Sequence, residues 1–321
     1  MNILIVGLGN FGEKYIEILN NLYEKANIYV LRHSKKKYNN ALNLKIKDFF
    51  YDIKDTNSII INAVIICNPC PYHVETANYF IKKNIHCLIE KPLSHNYSEG
   101  LKLLNNLNCN IQIGYLLLYS DLFNYLKNYK KYIGKLLLLK INVGQYLPSW
   151  RKKDYRNCVS SKKINGGGVL LELSHDINNI FAFLNIKLYK IKSISKKISE
   201  LEIDVEDFCY IILEATLNNG DLVNINISLD MLDFIHTRTY RLIGNMGSMN
   251  IDYINNKIEI INNKNQTIQL DKNKNLLKTQ IIDFFKNINN STFSNKTIDT
   301  ALSTLKLIDN IKNDNNIKFY K

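Results

Sequence analysis

Asn2-Ile3-Leu4-Ile5-Val6-Gly7-Leu8-Gly9-Asn10-Phe11-Gly12 opens the chain with a short apolar run that ends in glycines spaced G-x-G-x-x-G. Over residues 13–24, Tyr15, Ile18, Leu19, Leu22 and Tyr23 recur at helical spacing, with Glu17, Asn20 and Asn21 off the stripe, so the pattern predicts a helix after the glycines. Strand, glycine turn and helix in that order suit a pyrophosphate. The first glycine permits the tight turn, the second lets backbone approach the phosphates, and the third lets helix pack on strand. The helix N-terminus adds free N–H groups and partial positive charge. Gly7, Gly9, Asn10, Phe11 and Gly12 are therefore candidates to hold a dinucleotide.

Outward from this stretch, strand and helix signals alternate. Residues 27–31 read as a strand, and 59–67 is an almost unbroken run of Ile, Val and Ala, the mark of a parallel strand buried on both faces. Helix over 73–83, strand over 85–89, helix over 98–107 and strand over 110–114 complete the series. Such alternation predicts a doubly wound parallel sheet, a Rossmann domain over residues 1–120. Beyond it the pattern changes. A strand at 136–143, a loop to 165 and a helix over 168–184 precede β-rich segments at 208–217, 222–229, 237–243, 248–253 and 257–261. Turn residues such as Asn218-Asn219-Gly220 separate them, which predicts a mostly antiparallel sheet in a second α/β domain over residues 121–321. Helices over 276–288 and 298–311 close the chain, and 262–275 reads as turn material.

Composition bounds the function. A formal charge of +13 invites a nucleic-acid reading, but of 42 basic residues five are Arg, and the Lys are scattered along the chain. Nucleic-acid surfaces gather Arg and Lys on one face with aromatics between them, so neither nucleic acid nor membrane is expected as a partner. No apolar run reaches the ~20 residues of a membrane span, and residues 1–6 lack the features of a secretory leader. A cytoplasmic location is expected, and with it six unpaired Cys. Cys67 and Cys70 form a C-x-x-C interleaved with Pro69 and Pro71, which reads as a loop coincidence rather than a redox or zinc pair. No metal site is expected.

About twenty residues past Gly12 lies the position that reads the adenosine ribose. An acid there would favour NAD; the chain has Leu31-Arg32-His33-Ser34-Lys35 instead. Arg32, helped by His33, Ser34 and Lys35, suits a 2′-phosphate, so NADP is the expected cofactor. In the alternative, Arg32 stacks on adenine and NAD also binds.

Two clusters carry candidate chemistry. The 85–89 strand runs into Glu90-Lys91-Pro92, and a Lys at the carboxyl end of a parallel strand points into the crevice where open α/β sheets bind ligands. There Lys91 can stabilise negative charge on a substrate oxygen, with Pro92 fixing the backbone. The second cluster is Gly166-Gly167-Gly168-Val169-Leu170-Leu171-Glu172-Leu173-Ser174-His175-Asp176. Its glycines would admit a ligand or a neighbouring domain. Glu172 and His175 share a helix face, so the carboxylate can orient an imidazole that exchanges a proton with a hydroxyl.

The glycine stretch, Asn68-Pro69 with His73, Glu90-Lys91-Pro92, the 166–175 run and the later 238–248 stretch resemble, in order and spacing, the Gfo/Idh/MocA oxidoreductase family. The resemblance implies a Rossmann domain plus an α/β domain with an open, mostly antiparallel sheet, and homodimers or homotetramers. It implies Lys91 and His175 as catalytic groups, cofactor contacts from Asn68, Pro69, His73 and Glu90, and sugars, cyclitols or nucleotide sugars as substrates. Family members often place their His where this chain has Asp176; a subgroup reading E-L-S-H-E-I-D matches Glu172 to Asn178 better and favours His175. Where the family often has Asn and Arg, this chain has Leu116-Leu117-Leu118. The loop Gly144-Gln145-Tyr146-Leu147-Pro148-Ser149-Trp150-Arg151-Lys152-Lys153-Asp154-Tyr155-Arg156 also resembles that subgroup. It offers Trp150 to a sugar face, Tyr155 to the substrate wall, and Arg151 or Arg156 to an anion. The subgroup implies surface-polysaccharide or acidic-sugar biosynthesis. Two rivals stand beside this reading: a dinucleotide-sensing binding protein without turnover, and a reductase of a non-sugar carbonyl.

Overall fold

The computed structural model describes every residue except 36, 37, 39–42, 105, 107, 151–153, 272, 273, 294, 295 and 314–321. Its contacts gather into two units, Met1–Tyr115 with Asn275–Leu305, and Leu116–Lys274 with Lys306–Lys321. The sequence pattern predicts a single boundary after residue 120, with everything beyond it in the second domain. The structure instead returns a late segment to the first unit, because buried side chains such as Phe284 and Phe285 pack there, Phe285 against Tyr23.

The first unit is built from β1 (Asn2–Val6), α1 (Asn10–Leu22), β2 (Asn27–Leu31), β3 (Asp48–Phe50), β4 (Ala63–Ile66), α2 (His73–Ile81), β5 (His86–Glu90), α3 (Tyr97–Gly100) and β6 (Ile111–Gly114). Its sheet has the order β3-β2-β1-β4-β5-β6, all parallel. This is the Rossmann order, with the change of direction between β1 and β4. Ile3, Leu4, Ile5, Val64, Ile65, Ile66, Leu88 and Ile89 are fully buried, as strands covered on both faces require. The predicted strand over 59–67 is shorter than its apolar run. Asp52 caps a 3-10 turn over Ile53–Ser58, and Ile60 is left 81% exposed. The helix predicted over 98–107 stops after one turn because the Asn78 side chain accepts from Leu104 N and donates to the Lys102 carbonyl, taking backbone groups a helix would use.

The second unit holds α4 (Asp121–Lys127), α5 (Tyr129–Ile133), β7 (Leu136–Gly144), α6 (Val169–Glu172), α7 (Ser174–Phe183), β8 (Ile186–Lys196), β9 (Phe208–Leu217), β10 (Leu222–Asp230), β11 (Thr237–Gly244), β12 (Ser248–Asp252), β13 (Lys257–Ile261) and β14 (Gln266–Gln269). The sheet order is β14-β13-β12-β11-β7-β10-β9-β8, antiparallel except for the parallel pair β7 and β10. Along β9 buried and less buried residues alternate, with Cys209, Ile211, Leu213, Ala215 and Leu217 inward, the period of a sheet covered on one face. The helix predicted over 168–184 breaks at Leu173 (φ −94, ψ 20) into α6 and α7. β14 lies within the tract read as turns. Helix α8 (Leu276–Asn289) counts with the first unit, and α9 (Lys296–Asn313) follows it.

Candidate active site

Candidate residues fall in both units. In the first, β1 delivers the glycine turn to the edge of the switch point. Gly7 has φ +92, and a Cβ there would lie 2.8 Å from Asn68 N; only glycine lets β1 end against the loop after β4. A Cβ on Gly12 would lie 2.2 Å from the Gly7 carbonyl oxygen, so α1 rests directly on the turn. Gly9 differs: a Cβ there would meet nothing within 4 Å. Gly9 caps α1 in an extended conformation, while Asn10 and Phe11 lie exposed at the helix start. Open space over unsatisfied helix N–H groups suits a diphosphate. Asn68 Oδ1, beside the same turn, is buried with no hydrogen-bond donor among the described residues. The residues present therefore fit a dinucleotide.

After β2, the Arg32 guanidinium carbon lies 5.9 Å from the ring centroids of both Tyr38 and Phe49, within cation–π range. Ring contact engages the faces of a guanidinium and spares its in-plane N–H groups for an anion. Tyr38 Oη donates to Glu13 Oε1 at 3.0 Å, which ties this segment to α1. Burial and that carboxylate push the phenol up to about 12. His33 and Ser34 are exposed.

At the carboxyl end of β5, Lys91 is half-buried. Its own N–H donates to Glu90 Oε2 at 3.1 Å, and Tyr15 Oη of α1 donates to Glu90 Oε1 at 2.6 Å. Glu90 is 7% exposed, and burial raises its pKa against the lowering pull of Tyr15 and Lys91. Gly114 makes room for it, since a Cβ there would crowd Glu90 Cα at 3.2 Å. The carboxyl expected on the cofactor is thus spent inside the unit, holding the backbone of Lys91. His73 is likewise turned inward. Nδ1 lies 2.9 Å from the Pro92 carbonyl oxygen and Nε2 2.7 Å from that of Asn68, so the ring staples two loops instead of meeting cofactor. Burial outweighs those carbonyls and, with Lys91 nearby, holds its pKa down to about 4. Pro69 sets the turn between Asn68 and α2.

In the second unit the run 166–168 has a structural cause. Gly166 is left-handed (φ +75), and a Cβ on Gly168 (φ +106) would strike the Glu206 carboxylate at 2.5 Å. A Cβ on Gly167 would meet the carbonyl oxygens of Val159 and Ser160 at 2.5 and 2.6 Å. The glycines are needed by the unit's own packing. On the helices that follow, Glu172 and His175 are half-buried. Asp176 is fully buried and accepts from Tyr240 Oη at 2.7 Å. Its carboxylate is thus engaged inside the unit, whereas the neighbouring His175 is only half-buried.

Among the described residues of the 144–156 loop, several polar groups already have partners within the unit. Trp150 Nε1 donates to the Gln145 carbonyl at 2.9 Å, and Tyr155 Oη accepts from Glu202 N at 3.3 Å. Arg156 pairs with Glu202 and, at 3.2 Å, with Asp154. Its charge is already matched, which removes the reason for assigning it to a substrate anion. Arg151 lies outside the described residues. Leu116–Tyr119 is a half-buried 3-10 turn. Cys67 is free, and burial pushes its thiol well up, which leaves it little thiolate for redox chemistry. Sequence reasoning missed Tyr15, visible only as one member of an apolar stripe, and Tyr240, whose hydroxyl partner lies 64 residues away.

An oxidoreductase family profile with an NAD-binding Rossmann fold, Gfo/Idh/MocA, matches residues 1–112. No curated protein sequence matches the chain. Among solved structures, UDP-N-acetylglucosamine 3-dehydrogenase GnnA from Acidithiobacillus ferrooxidans is similar over 97% of this chain and 96% of its own, at 16% identity and TM-score 0.78. Levoglucosan dehydrogenase in complex with NADH is similar over 97% and 96%, at 14% identity and TM-score 0.81. Biliverdin reductase from Synechocystis sp. PCC 6803, in complex with biliverdin and NADP+, is similar over 97% and 98%, at 14% identity and TM-score 0.77. At these identities the likeness establishes a common fold along the whole chain. By this match, residues 1–112 carry the NAD-binding Rossmann fold of the Gfo/Idh/MocA oxidoreductase family.

Proposed function

We propose that the protein transfers a hydride between NADP(H) and a secondary alcohol or ketone of a sugar or nucleotide-sugar derivative of the kind used in surface polysaccharides. The nicotinamide supplies or receives the hydride. Lys91 polarises the reacting oxygen as an ammonium, and His175 exchanges its proton. The observation that carries the reading is the setting of Lys91: a half-buried ammonium at the carboxyl end of β5, its backbone held by a buried carboxylate, in the same unit as a glycine turn open at Gly9. Two of the structural neighbours named above act on a nucleotide sugar and an anhydrosugar, which supports the substrate class. Arg32 flanked by Tyr38 and Phe49 supports NADP over NAD.

The test is cofactor oxidation or reduction, followed by absorbance, with a panel of nucleotide sugars, ketosugars and cyclitols. Lys91→Met is expected to lower kcat by about 100-fold or more while the fluorescence-measured Kd for NADPH stays unchanged. Wild-type kcat in that variant would remove Lys91 from the chemistry. A second reading, reduction of a non-sugar conjugated carbonyl, draws on Leu116, Leu117 and Leu118 in place of polar groups and on the likeness to biliverdin reductase; turnover of biliverdin and of no sugar would favour it.

The protein is further proposed to be cytoplasmic and to form a homodimer or homotetramer. None of the described helices is long and apolar enough to cross a membrane. Leu188, Ile194 and Ile212 are exposed on β8 and β9, a face a second copy would cover; a monomer in sedimentation would refute it.

A further inference from the structure

Helix α7 buries an unusual set of side chains. Ser174, Asp176, Asn178 and Asn179 are each fully buried, beside Ile177 and Ile180. A helix that served stability alone would present apolar residues here, since a buried carboxylate repays its lost hydration only with close partners. Asp176 has them. Tyr240 Oη donates to its Oδ1 at 2.7 Å, and Asn179 Nδ2 donates to that hydroxyl at 3.0 Å. Arg238 Nε lies 3.3 Å from the same Oδ1, a charge contact rather than an aligned hydrogen bond. Arg238 and Tyr240 are two apart on β11, so they reach α7 from one face of the strand. One residue before this carboxylate stands His175.

We infer that Asp176, Arg238 and Tyr240 are positioning residues for His175: the cluster pins the helix turn that carries the imidazole and sets how tightly the imidazole holds its proton. The inference rests on the proposed role of His175 in proton exchange. The ionisable groups that bear on the cluster are Glu172 on α6, Asp176 and His175 on α7, His236, Arg238 and Tyr240 on β11 and its lead-in, and Tyr253 after β12. Their fields are coupled. Burial and Asp176 push Tyr240 and Tyr253 up, and burial and Arg238 push His236 down. The Asp176 carboxylate favours a charged imidazole on the adjacent residue and Arg238 opposes it, so the pair tunes proton affinity without touching substrate.

The test uses the full chain and needs no substrate. The chain has six His, few enough to titrate individually by NMR after labelling the imidazole carbons, with His175→Gln assigning the resonance. Asp176→Asn leaves Arg238 in place, so the His175 pKa is expected to fall by about one unit. Asp176→Asn with Arg238→Met removes both charges and is expected to return His175 close to its wild-type value. His33, in the other unit, should titrate unchanged throughout. Tyr240→Phe keeps both charges and the ring, which guards against a variant that fails to fold. Without the hydroxyl dipole pointed at it, the Asp176 carboxylate presents a less offset negative charge, so the His175 pKa should shift the opposite way, upward, and by less. An unchanged His175 titration in Asp176→Asn or in Tyr240→Phe would overturn the inference, because a pair that only fastened the helix would alter melting and not the titration. Kinetics of His175→Gln separate the two claims: full turnover there defeats the catalytic reading while the titrations still decide the tuning.

Discussion

Two glycines three residues apart are expected to fail in opposite ways when replaced by alanine. At Gly9 the added methyl meets nothing within 4 Å, and the backbone is extended (φ −98, ψ −169), which alanine adopts freely. Gly9→Ala loses a better helix cap, about 1 kcal/mol, and recovers about 0.4–1 kcal/mol by narrowing the unfolded ensemble. Net stability should move by about 0.5 kcal/mol or less, too little to shift Tm by more than a degree or two. The same methyl occupies the space assigned to the diphosphate, so the Kd for NADPH should rise about tenfold or more, the equivalent of ~1.4 kcal/mol. At Gly12 the methyl would sit 2.2 Å from the Gly7 carbonyl oxygen. Helix α1 must lift from the turn, at about 2 kcal/mol or more. Thermal melts without cofactor, paired with fluorescence titrations of NADPH, separate the outcomes. Wild-type affinity in Gly9→Ala, or wild-type melting in Gly12→Ala, would refute the assignment of the turn.

Arg32→Ala should weaken NADPH about tenfold or more and NADH about twofold or less; equal losses would defeat the reading of Arg32, by direct titration of both cofactors. The folded His73 ring holds its pKa at about 4 against 6.5, so the unfolded chain takes up a proton first. Its contribution is complete above about pH 6.5 and is lost as pH falls toward about 4, to a limit of about 3 kcal/mol. Urea unfolding near pH 7 and near pH 4 should show that loss reduced in His73→Gln. Arg238→Met leaves the buried Asp176 carboxylate without its counter-charge and should cost about 3 kcal/mol, more than Arg238→Met combined with Asp176→Asn; equal denaturation midpoints would count against a buried pair.

The first sheet was legible because its signals are local. A glycine turn, a period-3.6 stripe and unbroken apolar strands each announce themselves within a dozen residues, and the parallel order follows from their alternation. The glycine turn, Arg32 and Lys91 stand out as candidates by residue type and local setting alone. What escaped reading depends on partners far along the chain. The resemblance gives Glu90 to the cofactor, and nothing nearby in the sequence reveals Tyr15, 75 residues before it, as its donor. The resemblance gives His73 to the cofactor as well, and the two backbone carbonyls that close on its ring are not visible in the sequence. The run 166–168 looked like room for a visitor; Glu206, 38 positions beyond Gly168, fills it. The shortened helix at 98–107 has the same cause, an Asn78 side chain that competes for its backbone.

The nucleotide-binding unit is not finished until the chain is nearly complete. Gln280 on α8 sits fully buried with its side-chain oxygen 3.1 Å from Tyr15 Oη, Asn110 Nδ2 reaches the Phe284 carbonyl, and Leu302 and Leu305 lie over the bare Cα of Gly100. During synthesis the strands that would hold a dinucleotide therefore emerge long before the helices that cover them, and must wait with apolar flanks uncovered. A truncation that keeps only the N-terminal sheet would inherit that uncovered surface permanently, and any exchange of nucleotide-binding halves between such enzymes has to carry two pieces of chain rather than one.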